Sequence, residues 1–255
     1  MITLISPAKT LDFDTEINTQ ISTGYLFKKE SIEIASRLKE LSRNDISSLM
    51  KLSEKLADIN FQRFQMWNSS PDKDLVRQAV FMFKGEVYLG LSPYTLSEGE
   101  LNFAQSNLRI LSGLYGYLKP LDLVQAYRLE MGAKINVGSN KNLYEFWKGK
   151  VSLAIESDLK SHESETIINL ASTEYSKAAA LKTIKADVIT PIFKDFKNGN
   201  YKVISFFAKK ARGVMARWII QNEVNNPKEL IQFAELGYAF NESMSTSSEP
   251  VFTRE

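Results

Sequence analysis

Apolar positions recur with a helical period through the first third of this chain. Over residues 26–41, 46–52 and 56–67 they return every three or four places with few breakers, which predicts three helices with caps or turns at Ser31, Ser42, Asn44 and Ser53. Before them, residues 2–6 read as a short apolar strand ended by Pro7, with Lys9 just beyond. Residues 74–82 continue the helical pattern. The glycines and aromatics of residues 83–91 favour a turn and a short extended piece. Ser97 and Glu100 form a capping-box pair for a helix through about Leu111, and a long helix is predicted over residues 143–159.

The second half changes period. Thr166-Ile167-Ile168-Asn169-Leu170 is a short apolar strand, followed by Ser172 as a cap for a helix near Glu174. Residues 188–196 and 201–207 flank Asn198-Gly199-Asn200, a strong hairpin signal, and their two apolar faces place them inside a sheet. A basic helix follows, then a helix started by Pro227, then a mobile Ser-rich stretch over residues 243–248 and a last strand near Phe252. With no repeat and no long linker, the expectation is one mixed α/β (α+β) domain over residues 1–255, a helix-rich first half around a mixed sheet with a hairpin in the second half.

Composition removes several chemistries. The chain has no Cys, so disulfides, thiolate metal sites and cysteine nucleophiles are absent by inventory. Its one His, His162, sits in a polar run that reads as a linker, which leaves little room for a Ser-His-Asp relay or a multi-His metal site. Residues 1–7 lack a signal-peptide pattern and no apolar run reaches membrane-span length, so a cytoplasmic protein without membrane contact is expected. No cofactor is called for. The net charge is +2, yet residues 177–217 hold ten Lys/Arg against two acids, an excess that points to a polyanion-facing side.

The strongest single feature is Ala208-Lys209-Lys210-Ala211-Arg212-Gly213-Val214-Met215-Ala216-Arg217. At about 100° per residue, Lys209, Lys210, Arg212 and Arg217 share one arc, while Ala211, Met215, Trp218, Ile219 and Ile220 fill the other. Cations at the start of a helix oppose its dipole unless an anion sits among them; the plainer reading is a solvated basic face. Gly213 inside the helix implies close approach of a backbone or a ligand.

Two other constellations carry chemistry. Ser112-Gly113-Leu114-Tyr115-Gly116, after a predicted helix and before Lys119-Pro120, resembles a helix-hairpin-helix turn that touches DNA phosphates, although Tyr115 is an extra residue and Pro120 stands where the second helix should start. An ordinary helix C-cap at Gly113 is the alternative. Lys9, Arg128, Asn169, Glu174 and Tyr175 are polar or polar-tipped residues among apolar ones near predicted strand ends, where pockets form in α/β folds. There Lys9 or Arg128 would hold an anion and Glu174 would act as acid or base, whereas Arg128 with Glu130 could equally be a buried structural pair.

Ile5-Ser6-Pro7-Ala8-Lys9, residues 111–116, Pro120-Leu121-Asp122, residues 127–132, Asn169-Leu170-Ala171-Ser172 and residues 205–213 together resemble the YaaA peroxide stress protein family, from residue 2 to the last strand. The resemblance implies a cytoplasmic protein of the hydrogen peroxide response that limits free iron and protects DNA. It also implies sequence-independent binding of duplex or distorted DNA through a basic cleft with a helix-hairpin-helix element. On this chain that assigns Gly113, Gly116 and Lys119 to the hairpin and Lys209, Lys210, Arg212 and Arg217 to the cleft, with no catalytic residue and with a monomer favoured. The rival expectation is an enzyme acting on a nucleotide or other phosphorylated small molecule around Lys9, Arg128, Asn169 and Glu174. Iron sequestration by carboxylates alone is a third.

Overall fold

The computed structural model describes residues 1–255, and their strands fall into two main sheets and two short ribbons. In chain order the strands are β1 (Ile2–Ile5), β2 (Thr10–Leu11), β3 (Val76–Gln78), β4 (Phe83–Lys84), β5 (Leu108–Ser112), β6 (Gly116–Leu118), β7 (Leu123–Gln125), β8 (Thr166–Asn169), β9 (Asp187–Ile189), β10 (Ile192–Lys197), β11 (Asn200–Lys202), β12 (Ala239–Phe240) and β13 (Val251–Arg254). The helices are α1 (Lys28–Lys39), α2 (Arg43–Met50), α3 (Glu54–Met66), α4 (Ala79–Met82), α5 (Glu86–Leu91), α6 (Glu98–Asn107), α7 (Leu143–Trp147), α8 (Lys150–Leu159), α9 (Thr173–Ala178) and α10 (Ser205–Gln221).

The first sheet runs β6-β5-β1-β8-β9, with β5, β1, β8 and β9 parallel and β6 antiparallel at the edge. Every residue of β1, β5 and β8 is buried, as strands covered on both faces must be. From β1 the chain goes first to β5 on one side and later to β8 on the other. The carboxyl end of β1 is therefore a topological switch point, where α/β sheets open a crevice. The second sheet, β11-β10-β13-β12, pairs β10 with β13 in parallel.

Helices α1 to α3 form where the helical period predicts them, and α6 carries the expected capping box at Ser97 and Glu100. Other elements differ. Residues 74–82 are α-helical only in α4, because Lys73–Leu75 is a 3-10 helix and β3 pairs with β7. Of residues 83–91, expected as a turn and a short extended piece, Phe83–Lys84 is the extended β4, whereas residues 86–91 form α5, which lies against α10. A Cβ at Gly213 would stand 1.8 Å from the carbonyl oxygen of Val87, and one at Gly90 2.3 Å from that of Lys210. The glycine in the basic helix thus admits a backbone, that of α5.

Helix α6 stops at Asn107 and the apolar residues after it become the central strand β5. The predicted long helix is split into α7 and α8 by Lys148-Gly149, where Gly149 takes φ 80°. Pro191 divides the expected strand over residues 188–196 between the two sheets. The hairpin at Asn198-Gly199 forms as β10–β11, both turn residues having positive φ (54° and 79°), but β11 is an edge strand and Phe206 and Phe207 open α10 in solvent. Residues 227–232 are a 3-10 helix. The buried apolar residues form one connected cluster from Met1 to Phe252.

The helix-hairpin-helix is not present as such. Residues 108–118 are strand, turn and strand, paired Ile110 to Leu118 and Ser112 to Gly116. Gly113, Leu114, Tyr115 and Gly116 are all buried. A Cβ at Gly113 would strike the carbonyl oxygen of Leu129 at 2.4 Å, and one at Gly116 the Trp147 ring at 2.5 Å. Trp147 also donates its Nε1–H to the Gly113 carbonyl at 3.0 Å. These glycines serve interior packing and present nothing to a phosphate.

Candidate functional site

At the carboxyl end of β1 lies a cleft of about 450 Å³. One wall is the turn after β1, residues 6–10; a second is residues 127–130; a third is the segment leading from β8 into α9; residues 84–87 and the α10 residues Lys209 and Arg212 close the remainder. Ser6 and Ser172 tie two of these walls together. The Ser172 backbone N–H donates to Ser6 Oγ at 2.8 Å, and Ser6 Oγ–H donates to Ser172 Oγ at 3.3 Å. Tyr88, buried in α5, donates to the Ser6 carbonyl at 3.2 Å and so ties in a third.

Charged groups gather around this space. Glu130 Oε1 lies 3.1 Å from Lys9 Nζ and 3.2 Å from Arg128 Nη2, while Glu130 Oε2 and Arg128 Nε are buried without any partner. Glu174 Oε1 accepts the Gly132 backbone N–H at 2.8 Å. Tyr127 and Tyr175 back the cleft, their hydroxyls held well above the ordinary phenol range by burial. Lys84 lies 3.4 Å from Asp12.

Lys209 and Arg212 differ from these: neither takes part in an ion pair. Burial alone lowers the pKa of the Arg212 guanidinium, which marks a desolvated cation with no carboxylate beside it. Such a group is costly to a fold unless an anion completes it.

Of the residues expected from sequence, the cleft unites Lys9, Arg128, Glu174 and Tyr175 with Lys209 and Arg212, two sets that the sequence assigns to different sites. It omits the others. Asn169 is engaged in structure, its Oδ1 accepting the Ala171 N–H and its Nδ2 donating to Thr190. Arg217 turns away and donates to the carbonyls of Leu91 and Ser92 and to Thr95 Oγ1, closing the carboxyl end of α5. Lys210 is exposed outside the cleft, and Lys119 lines a different cavity at the other end of the sheet. The residues missed are Ser6, Ser172, Lys84, Glu86 and Tyr127. Lys84-Gly85-Glu86 did offer a signal, as a polar trio between the apolar runs 79–83 and 87–91. No group of three or more His, Asp or Glu is placed to hold a metal ion, and no helix is long and apolar enough to cross a membrane.

Residues 1–244 match the family model described as Peroxide stress protein YaaA. The chain belongs to the YaaA peroxide stress protein family. It is also 50% identical over 255 residues to a UPF0246 protein of Aliivibrio fischeri strain MJ11, covering 100% of this chain and 98% of that one. UPF0246 proteins of Shewanella loihica (50% over 255 residues) and Saccharophagus degradans (48% over 254) match over 100% of this chain and 99% of theirs. Membership ties the chain to the response to peroxide. The segments that carried the resemblance supply three cleft walls, namely residues 5–9, 127–132 and 169–172, and with residues 205–213 the α10 cations as well.

Proposed function

We propose that this protein serves the peroxide response by binding a phosphate-bearing small molecule, nucleotide-sized, in the cleft at the end of β1. Arg212 carries the proposal: a half-buried guanidinium facing the cleft, with no carboxylate partner and no hydrogen bond within the protein, calls for an anion from outside. Lys209 adds a second cation from the next helical turn, and Lys9 and Arg128, both on Glu130, stand across from them. The volume suits a metabolite or nucleotide. Glu174, with only one oxygen engaged, is the group to exchange a proton with such a ligand, which makes turnover by acid–base chemistry part of this reading.

A second reading is DNA. It is favoured by one observation: β10, β11, the link after it and the first turns of α10 expose Phe196, Val203, Phe206 and Phe207 beside Lys197, Lys202, Lys209 and Lys210. Phosphates on these lysines and bases on these rings would make a sequence-independent contact, with Lys209 common to both surfaces. Protection of DNA, which the family resemblance implies, would then follow from occupancy of the basic surface.

Calorimetric titration of adenosine diphosphate and of duplex DNA into wild type, Arg212→Gln and Lys197→Gln/Lys202→Gln separates the two. The small-molecule reading expects a saturable diphosphate complex weakened at least tenfold by Arg212→Gln and unaffected by the hairpin pair. The DNA reading expects binding that falls by roughly one log unit per log unit of salt for each phosphate contact and is weakened by the hairpin pair. Diphosphate binding that Arg212→Gln leaves intact would remove the cleft from the function.

A further inference from the structure

The opposite end of the same sheet holds a second cleft, about 540 Å³ in volume, independent of the first. It opens at the start of β1, β5 and β8 and is lined by Asn107, Arg109, Lys119, Asp158 and His162, among other polar residues. Arg109 is 2% exposed. Its Nε donates to Asp158 at 2.7 Å and its Nη1 to the carbonyls of Gln105 and Leu108, which leaves Nη2 without a partner in the protein. Asp158 is compensated twice, since Tyr117 also donates to it at 2.9 Å.

Asn107 is 8% exposed, and its Oδ1 is buried with no donor. Its orientation is fixed because Nδ2 donates to the Phe103 carbonyl at 3.0 Å; flipping the amide would set two oxygens against each other. An orphaned acceptor of this kind destabilises the fold unless a donor reaches it. The His162 imidazole shows the sign of the local field. Its pKa is lowered by burial and then by the Met1 amino group, Arg109 and Lys119, with Asp158 alone opposing them. Arg109, Lys119 and the Met1 amino group thus face Asp158 and Glu163 around the cleft, a small positive balance, and Asn107 Oδ1 is short of a hydrogen-bond donor.

We propose that this cleft is a second ligand site, taking a small phosphate ester that also carries a hydroxyl or amino group. The phosphate meets Lys119, His162 and the free edge of the Arg109 guanidinium, and the donor meets Asn107 Oδ1. The sole histidine of the chain makes the site directly observable, because its ring protons are unambiguous in a nuclear magnetic resonance spectrum.

The experiment titrates glycerol 3-phosphate, inorganic phosphate and glycerate in turn while following His162 across pH. Glycerol 3-phosphate is expected to shift the ring resonances saturably and to raise the imidazole midpoint by roughly one unit, as a nearby dianion does. It should bind more tightly than inorganic phosphate, which lacks the donor, and than glycerate, which lacks the second charge. Lys119→Gln should weaken it about tenfold. The same titration in Lys209→Gln/Arg212→Gln should be unchanged. A His162 midpoint that none of the three probes moves overturns the proposal. So does a response that survives Lys119→Gln, or one that vanishes in the first-cleft double variant and hence originates there.

Discussion

At the scale of single residues, the glycines show most directly how side-chain absence becomes architecture. Gly213 and Gly90 let α10 and α5 cross with their backbones in contact, and that crossing holds Lys209 and Arg212 over the cleft. Gly213→Ala has no flexible side chain to displace, only the Val87 carbonyl and the Leu91 amide. It is expected to lower stability by about 2–3 kcal/mol in urea unfolding. By contrast, Gly99 lies in the first turn of α6 with nothing within 4 Å of an added Cβ. Gly99→Ala should raise stability by about 0.5–1 kcal/mol, from helix propensity and a less flexible unfolded chain. The cations divide in the same way: Arg217 and Arg212 lie on one arc of α10, yet only Arg212 is without a partner.

At the scale of elements, short hydrogen-bonded turns fix the approach to the cleft. Asp12 follows β2. Burial by itself would raise its carboxyl, but the backbone N–H and hydroxyl of Thr15, the N–H of Asp14 and the Lys84 ammonium outweigh it and bring the pKa down to about 2. A carboxyl depressed in the folded state contributes stability that is whole above its unfolded pKa, near 4, and is lost as pH falls toward 2. Asp12→Asn should cost about 1–2 kcal/mol at pH 7 and flatten the acid limb of the stability profile between pH 4 and pH 2, measured by urea midpoints. A capping box fixes the start of α6, where Ser97 accepts the Glu100 N–H and Glu100 accepts the Ser97 N–H. Ser97→Ala should cost about 1 kcal/mol, read from the same unfolding curves.

At the scale of the whole molecule, a single cluster of 66 buried residues joins both sheets to the helices of the first half. Trp67 and Trp147 report on the first sheet and its helices, and Trp218 packs edge-on against Phe233 beside the second sheet. Single Trp→Phe variants are expected to unfold with coincident midpoints by fluorescence; separated midpoints would show two independently stable units. The parallel core sheet also carries a cleft at each of its two ends. The cleft gathering Arg212 and Lys9 sits at the carboxyl ends of the strands, and the cleft around His162 sits at their amino ends.

Helices α1 to α3, the α6 cap and the Asn198-Gly199 hairpin were legible in the sequence because each rests on interactions within a few residues; β1 and β8 were legible as short apolar runs ended by Pro7 and Ser172, although β1 finds its partners β5 and β8 more than a hundred residues away. The sequence also determined the list of chemically capable groups, since an inventory without Cys and with one His does not depend on folding. The conformation of residues 108–118 depended on contacts far along the chain. An apolar run after a helix can continue it or enter a sheet, and the parallel partner that β5 finds in β1 lies a hundred residues away. The same distance hid the site: Lys9, Arg128, Glu174 and Arg212 come from four separate segments that meet only where the sheet switches direction. Which cations are neutralised within the protein and which are not was decided last, by whether a carboxylate or carbonyl from elsewhere in the chain reached them.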